Sequence, residues 1–303
     1  MKSIIPFNFS KIAILLLSLL LTACSFNRIY LSPDKAPATA KKLTFKSATD
    51  TTVIYFSADT HQPTYTKSGK DTIDLGFTIE SVVFTGAEGN KLNGWLLKPK
   101  NKTAEITLLH MHGNAGFLLN QYQLIAPFIK NGFQVFMFDY SGFGFSEGKA
   151  SRKNIVPDAL SALDYIKNRP EVKGTKLVIY GQSLGGHLSA VIAGQRQNDI
   201  DGLVIEGGFT CDKDIAANTA GFLGRILVSQ KYSAIESIKK YNKPLLVIHS
   251  SEDKVVPFRL GKRLFDNANA PKEFYEIKKP HIYGVVFYHD EIAQKIKNML
   301  AVR

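Results

Sequence analysis

A single α/β domain built on a doubly wound, mostly parallel sheet is the architecture this sequence predicts, and two observations predict it. From residue 106 onward, apolar strand-like runs alternate with longer stretches of helical periodicity, the pattern of successive βαβ units. Within that alternation, the run Leu177–Tyr180 passes through Gly181-Gln-Ser183-Leu-Gly185-Gly186 straight into a helical segment. A 303-residue chain with 45% hydrophobic and 21% charged residues can bury a core of this size, and its composition excludes a disordered or low-complexity protein.

Taken in order, the chain opens unlike the rest. Lys2 and Lys11 precede an uncharged apolar run, Ile12 to Leu21, that ends in Leu-Thr-Ala-Cys24. Ten residues rise only about 15 Å as a helix, roughly half a bilayer's hydrocarbon core, so a cleaved secretory signal over 1–23 fits better than a permanent span. The segment resembles a bacterial lipobox. That resemblance implies acylation of Cys24, the new N-terminus, and with Ser25 following it implies sorting to the outer membrane of a Gram-negative cell envelope, facing the periplasm or the surface. Cys211 is the other cysteine, so no disulfide framework is expected.

Residues 24–64, with Pro33 and Pro37, read as a spacer in which only Val53–Phe56 hints at a strand. The folded catalytic-size domain is expected over 65–303. It begins with a hairpin, Ile79–Thr85 and Leu92–Leu97 around Gly86–Asn90. Strands follow at Ile106–Met111, Gln134–Asp139, Leu177–Tyr180, Gly202–Glu206, Leu245–His249 and Glu273–Ile277. Helices are expected near 119–130, 154–168, 186–196, 257–267 and 289–300, and residues 210–242 form an irregular insertion of short helices, a small cap at the ligand-binding edge of such sheets.

Chemistry concentrates in the turns. In Gly181-Gln-Ser183-Leu-Gly185, small residues permit a tight strand-to-helix elbow that exposes the Ser183 hydroxyl at the sheet's C-terminal edge, with a helix N-terminus behind it to favour developing negative charge. With this elbow and His112-Gly-Asn114-Ala-Gly116, the chain resembles the α/β-hydrolase superfamily over roughly residues 65–303, in its small-capped branch with HGN before the first helix and G-x-S-x-G-G at the elbow. The resemblance implies a Ser-acid-His hydrolase in which the backbone amides of Asn114 and Leu184 form an oxyanion hole. Asp139-Tyr-Ser-Gly-Phe-Gly-Phe-Ser-Glu-Gly148 is similar to the family's D-x-x-G-x-G-x-S-x-G loop, where the Asp orders a turn.

A serine needs a base, and the base needs a carboxylate to hold its tautomer. His249-Ser-Ser-Glu-Asp253-Lys-Val-Val-Pro257 is similar to the family's H-G-x-x-D-x-x-V-P loop and singles out Asp253, with Glu252 and Glu206 as competitors. His281 and His289 are the candidate bases; His281 lies four residues past the last strand, where the family presents its histidine. Two departures stand out. Ser250 replaces a glycine, and Lys278-Lys-Pro280 replaces the small residues that usually precede the histidine.

Ester hydrolysis by Ser183, His281 and Asp253 is the leading expectation, with a small-molecule or lipid ester as substrate and no cofactor; thioester and amide cleavage use the same groups. The altered histidine loop motivates an alternative, an impaired hydrolase fold kept as a binding or envelope-structural module. A third reading is an esterase acting on its own membrane, from the anchor, the positive charge and Phe222 in the insertion. Losing Lys2 and Lys11 lowers the formal charge from +12 to +10. The lysines are scattered, which argues against nucleic-acid binding, and His110-x-His112 has no further ligands to complete a metal site.

Overall fold

The computed structural model of the protein describes residues 30–47 and 50–301; the signal segment and Cys24 lie outside the described residues. At the centre, six strands run parallel: β8 (Ile106–Met111), β10 (Phe133–Phe138), β11 (Lys176–Gln182), β12 (Gly202–Glu206), β13 (Leu245–Ser250) and β14 (Lys272–Ile277). The hairpin strands β6 (Phe77–Thr85) and β7 (Lys91–Pro99) add antiparallel at one edge. Together they make an eight-stranded sheet in the order β14-β13-β12-β11-β8-β10-β7-β6.

Strands β8, β10, β12 and β13 are buried along their whole length and largely apolar because both faces are covered, whereas the edge strand β14 mixes charged and apolar residues. Successive side chains on β8 enter different cores: Leu109 and Met111 join the layer under helices Ile155–Lys167 and Leu184–Arg196, whereas Leu108 joins the layer beneath Gly284–Ala301. That is the period-two alternation of a strand. The expected α/β-hydrolase sheet is present, with strand bounds within one or two residues of the expected ones from residue 106 on.

Two expectations differ. The helix anticipated over 119–130 is a short turn, Leu118–Gln121, followed by two 3-10 turns, Tyr122–Leu124 and Ala126–Ile129; Pro127 supplies no amide donor to continue an α-helix. Nor is the described part of residues 24–64 a free spacer. Strands β2 (Lys42–Lys46), β3 (Thr51–Phe56) and β4 (Pro63–Lys67), with the short β5 (Asp71–Thr72), form an antiparallel sheet. Ile54, Phe56 and Tyr65 from that sheet enter the second core. Their β-branched and aromatic alternation is enough to pair three strands once a core face exists to cover.

Ahead of this sheet, β1 (Ser32–Pro33) pairs in parallel with β9 (Ala115–Gly116). The amides of Ser32 and Ala36 reach the carbonyls of Asn114 (2.8 Å) and Gly144 (2.9 Å). Residues 30–36 are therefore a strap across the loops at the C-terminal ends of the strands. The insertion is a helix, Asp212–Leu227, kinked at Ala220 and Gly221 (φ 59°), and a short helix, Ala234–Ile238. No described helix is long and apolar enough to cross a membrane.

Candidate active site

Ser183 sits between β11 and the helix Leu184–Arg196 at φ 55°, ψ −116°, a region non-glycine residues avoid. Close packing holds it there. A Cβ on Gly185 would stand 1.8 Å from the Met111 carbonyl oxygen, and one on Gly181 would stand 2.2 Å from the Gly185 carbonyl. The Ser183 amide donates to the Glu206 carbonyl (2.9 Å), and its own carbonyl accepts the first helical bond, from His187 (3.1 Å). Strand, turn and helix thus meet at backbone contact distance, which only glycines allow.

Asp253 and His281 come together from loops 28 residues apart: His281 Nδ1 to Asp253 Oδ2 is 2.6 Å. The other oxygen of Asp253 accepts the amides of Val255 (2.8 Å) and Val256 (2.9 Å). Burial pushes the Asp253 carboxyl up, but His281 and these two amides outweigh it and hold the group below its usual range. Nδ1 is thereby fixed as the hydrogen donor, leaving Nε2 as the basic nitrogen. That nitrogen is buried and has no hydrogen-bond partner among the described residues. The ring lies against Gly207, where a Cβ would meet His281 Cε1 at 3.0 Å, one residue past the carbonyl that holds the Ser183 amide.

Ser183, Leu184 and Asn114 line one cavity of about 200 Å³, together with Tyr30, Phe209 and Val256. Leu184 opens its helix, where amides lack intrahelical acceptors. The Asn114 loop is held from two sides, by the Ser32 amide on the Asn114 carbonyl and by His112 Nδ1 on the Gly113 carbonyl (2.8 Å).

The competing residues fall elsewhere. His289 faces Asn131 (Nδ1 to Oδ1, 3.1 Å). Glu252 is exposed in its loop. Asp139 is buried, its Oδ1 accepts the Leu118 amide (3.0 Å), and its carbonyl accepts the Ser146 hydroxyl (2.7 Å). Burial lowers His110 to about 3 and His112 to about 4, so both rings are neutral near pH 7. Among the described residues no group of three or more His, Cys, Asp or Glu is placed to hold a metal ion.

Glu206 is the residue whose role the sequence hides. It lies wholly buried; one carboxylate oxygen accepts Tyr180 Oη and Gln182 Nε2, both at 2.8 Å, and the other accepts the Gly284 amide at 2.7 Å. Burial raises its pKa, against the opposing pull of those donors. It pins the turn that follows His281. Ser250 pins the turn that precedes it: its hydroxyl donates to the Lys279 carbonyl and accepts the Lys279 amide (3.2 Å). Gln182 Nε2 adds a bond to the Ile282 carbonyl (3.3 Å). The two departures from the family pattern are therefore complementary, since the serine that replaces a glycine grips the bulkier Lys-Lys-Pro approach.

A parallel sheet with a serine elbow at its edge and this loop arrangement defines an α/β-hydrolase-fold protein, and the chain belongs to the α/β hydrolase family: residues 106–231 match its family model, described as alpha/beta hydrolase fold. The chain is 35% identical over 210 residues to an uncharacterized protein, YfhR, from Salmonella typhi, covering 64% of this chain and 71% of YfhR. The fold superposes on the Pyrococcus furiosus esterase Pf2001 with TM-score 0.64 at 18% identity, covering 75% of this chain and 92% of the esterase. It also superposes on ferulic acid-bound Est1E from Butyrivibrio proteoclasticus with TM-score 0.60 at 21% identity, covering 72% and 97%.

Proposed function

We propose that this protein is a serine hydrolase that cleaves carboxylic esters, with Ser183 as nucleophile, His281 as base and Asp253 as its orienting acid. The observation that carries the reading is the 2.6 Å His281–Asp253 pair brought to the same sheet edge as a serine held at positive φ. The esterases among the fold's structural neighbours support the reaction class.

In the first half-reaction, Ser183 Oγ bonds to the substrate carbonyl carbon while His281 Nε2 takes its proton. The amides of Asn114 and Leu184 receive the oxyanion. Collapse expels the alkoxide, which takes the proton from His281, and leaves an acyl-Ser183 ester. Water then repeats the sequence and releases the acid. His281 Nε2, buried and without a hydrogen-bond partner among the described residues, is the nitrogen left to take the Ser183 proton. The mature chain is anchored at the cell envelope through acyl groups on Cys24.

Labelling with a fluorophosphonate probe followed by peptide mass spectrometry tests the nucleophile. The expected adduct is on Ser183 and disappears in Ser183→Ala. A folded protein that takes no label, or takes it at another residue, contradicts the reading and favours a non-catalytic module. Incorporation of radiolabelled palmitate that survives Cys24→Ala would contradict the anchor.

A further inference from the structure

The described surface is unevenly apolar. Of nine large hydrophobic side chains that stand exposed, Phe45 and Tyr55 belong to the N-terminal sheet. The other seven lie on segments that meet at the candidate active site. Phe222 (75% exposed), Leu223 and Ile226 follow the kink in the insertion helix. Val255 faces the cavity from the Asp253 loop. Tyr283, Val286 and Phe287 directly follow the His281 turn. These segments are joined: Asn218 Nδ2 bonds the Val255 carbonyl (3.4 Å), and Asp253 bonds His281. Val255 lines the cavity itself, and the other six stand on segments that flank it: the insertion helix, whose Ile215 and Thr219 line the cavity, and the turn after His281. Exposed apolar side chains grouped as a rim in this way, rather than scattered singly, mark an interaction surface.

The charge and the chain path say what covers it. On the same loops Lys254 and Lys278 are exposed and Lys279 Nζ lies over the Phe287 ring (4.4 Å), against one exposed carboxylate, Glu252. Aromatic and aliphatic side chains flanked by lysines are the composition of an interfacial membrane contact. Tyr30 lines the cavity, and only five residues lie between it and Cys24. Even fully extended, that length reaches about 20 Å, so acyl chains on Cys24 enter the bilayer close to the cavity mouth.

We propose that this rim docks on the anionic surface of the membrane to which the protein is tethered, and that the substrates are acyl esters embedded in that leaflet. The proposal rests on the ester-hydrolase reading and on acylation of Cys24. It makes the strap a device that aims the mouth at the bilayer as well as a tether.

The test uses the full-length acylated protein reconstituted in vesicles of phosphatidylethanolamine and phosphatidylglycerol. The chain has one tryptophan, Trp95, which is 1% exposed, so Phe222→Trp introduces a single surface reporter. Quenching of that reporter by lipids brominated along the acyl chain is expected. A reporter signal open to aqueous iodide on the vesicles overturns the proposal. So does one shielded from iodide yet untouched by brominated lipid, because a second copy or another protein then covers the rim. For activity, the triple variant F222S/L223S/I226S is compared with the parent on a fluorogenic diacylglycerol in the same vesicles and on p-nitrophenyl acetate. The expected result is at least a tenfold loss on the embedded ester with the soluble ester held within twofold. Equal retention of both activities contradicts the docking surface alone, whereas a parent protein inactive on every ester contradicts the hydrolase reading itself.

Discussion

The elbow and the histidine loop stand on the same sheet edge, yet they are held by different means. Around Ser183, position follows from excluded volume: Gly181 and Gly185 let three backbones meet at distances that no side chain permits. Around His281, position follows from polar ties that arrive from Ser250, Glu206 and Gln182, up to 100 residues away in sequence. A steric device tolerates no substitution, whereas a hydrogen-bonded one degrades by steps. Substitutions at the two places should therefore fail differently.

The largest effect is expected at Ser183, the proposed nucleophile. Ser183→Ala should lower kcat for p-nitrophenyl acetate by on the order of 10⁴-fold or more, because without an oxygen no acyl-enzyme forms. Next is the steric frame. Gly185→Ala forces a methyl into the Met111 carbonyl and should cost on the order of 3 kcal/mol, a fall in Tm of about 10 °C by scanning calorimetry, with activity lost. By contrast, Ser183→Gly should be inactive but more stable by about 1 kcal/mol, since glycine accepts φ 55° without strain. A Ser183→Gly protein less stable than its parent would show that the elbow carries no strain.

At the histidine loop, Glu206→Gln weakens the carboxylate bond to the Gly284 amide and opposes Gln182 and Tyr180 donors with an amide. A loss of about 1–3 kcal/mol predicts roughly 10- to 100-fold lower kcat with KM within twofold, a split that general destabilisation would not produce. Ser250→Ala should cost about 1 kcal/mol and roughly fivefold in kcat, restored in Ser250→Thr. Acid stability provides the smallest and most specific check. Asp253 has a depressed folded-state pKa, so its contribution is present above the unfolded carboxylate value near 4 and is lost as pH falls through the folded value. Asp253→Asn should flatten the stability-pH curve below about pH 4, measured by urea unfolding; an unchanged acid limb would mean the pair contributes nothing to folding.

This difference in mechanism also decides what was legible in the sequence. Strand, elbow and helix are contiguous, so Gly181-Gln-Ser183-Leu-Gly185 declares its geometry locally, and the inner parallel strands declare themselves as largely apolar runs. The ties of the histidine loop carry no local signature. Glu206 reads only as a second candidate acid until its oxygens are found on Tyr180, Gln182 and Gly284, and Ser250 reads as a lapse from the family glycine until Lys279 is seen against it. The strap at residues 30–36 is hidden for a further reason: a two-residue strand with a proline in it has no periodicity, and its order comes from the Asn114 and Gly144 loops it crosses. Nor does the run Asp253-Lys-Val-Val hint that Val255 and Val256 lend their amides to the Asp253 carboxylate.

His281, rather than His289, is the proposed base for Ser183. Hydrolysis of p-nitrophenyl acetate by the purified protein, compared with His281→Ala and His289→Ala, tests this assignment most directly. Loss of at least about 10³-fold in His281→Ala with near-parental rates in His289→Ala is predicted from the general size of a triad base's contribution. Parental activity in His281→Ala, or loss confined to His289→Ala, would contradict the site as described.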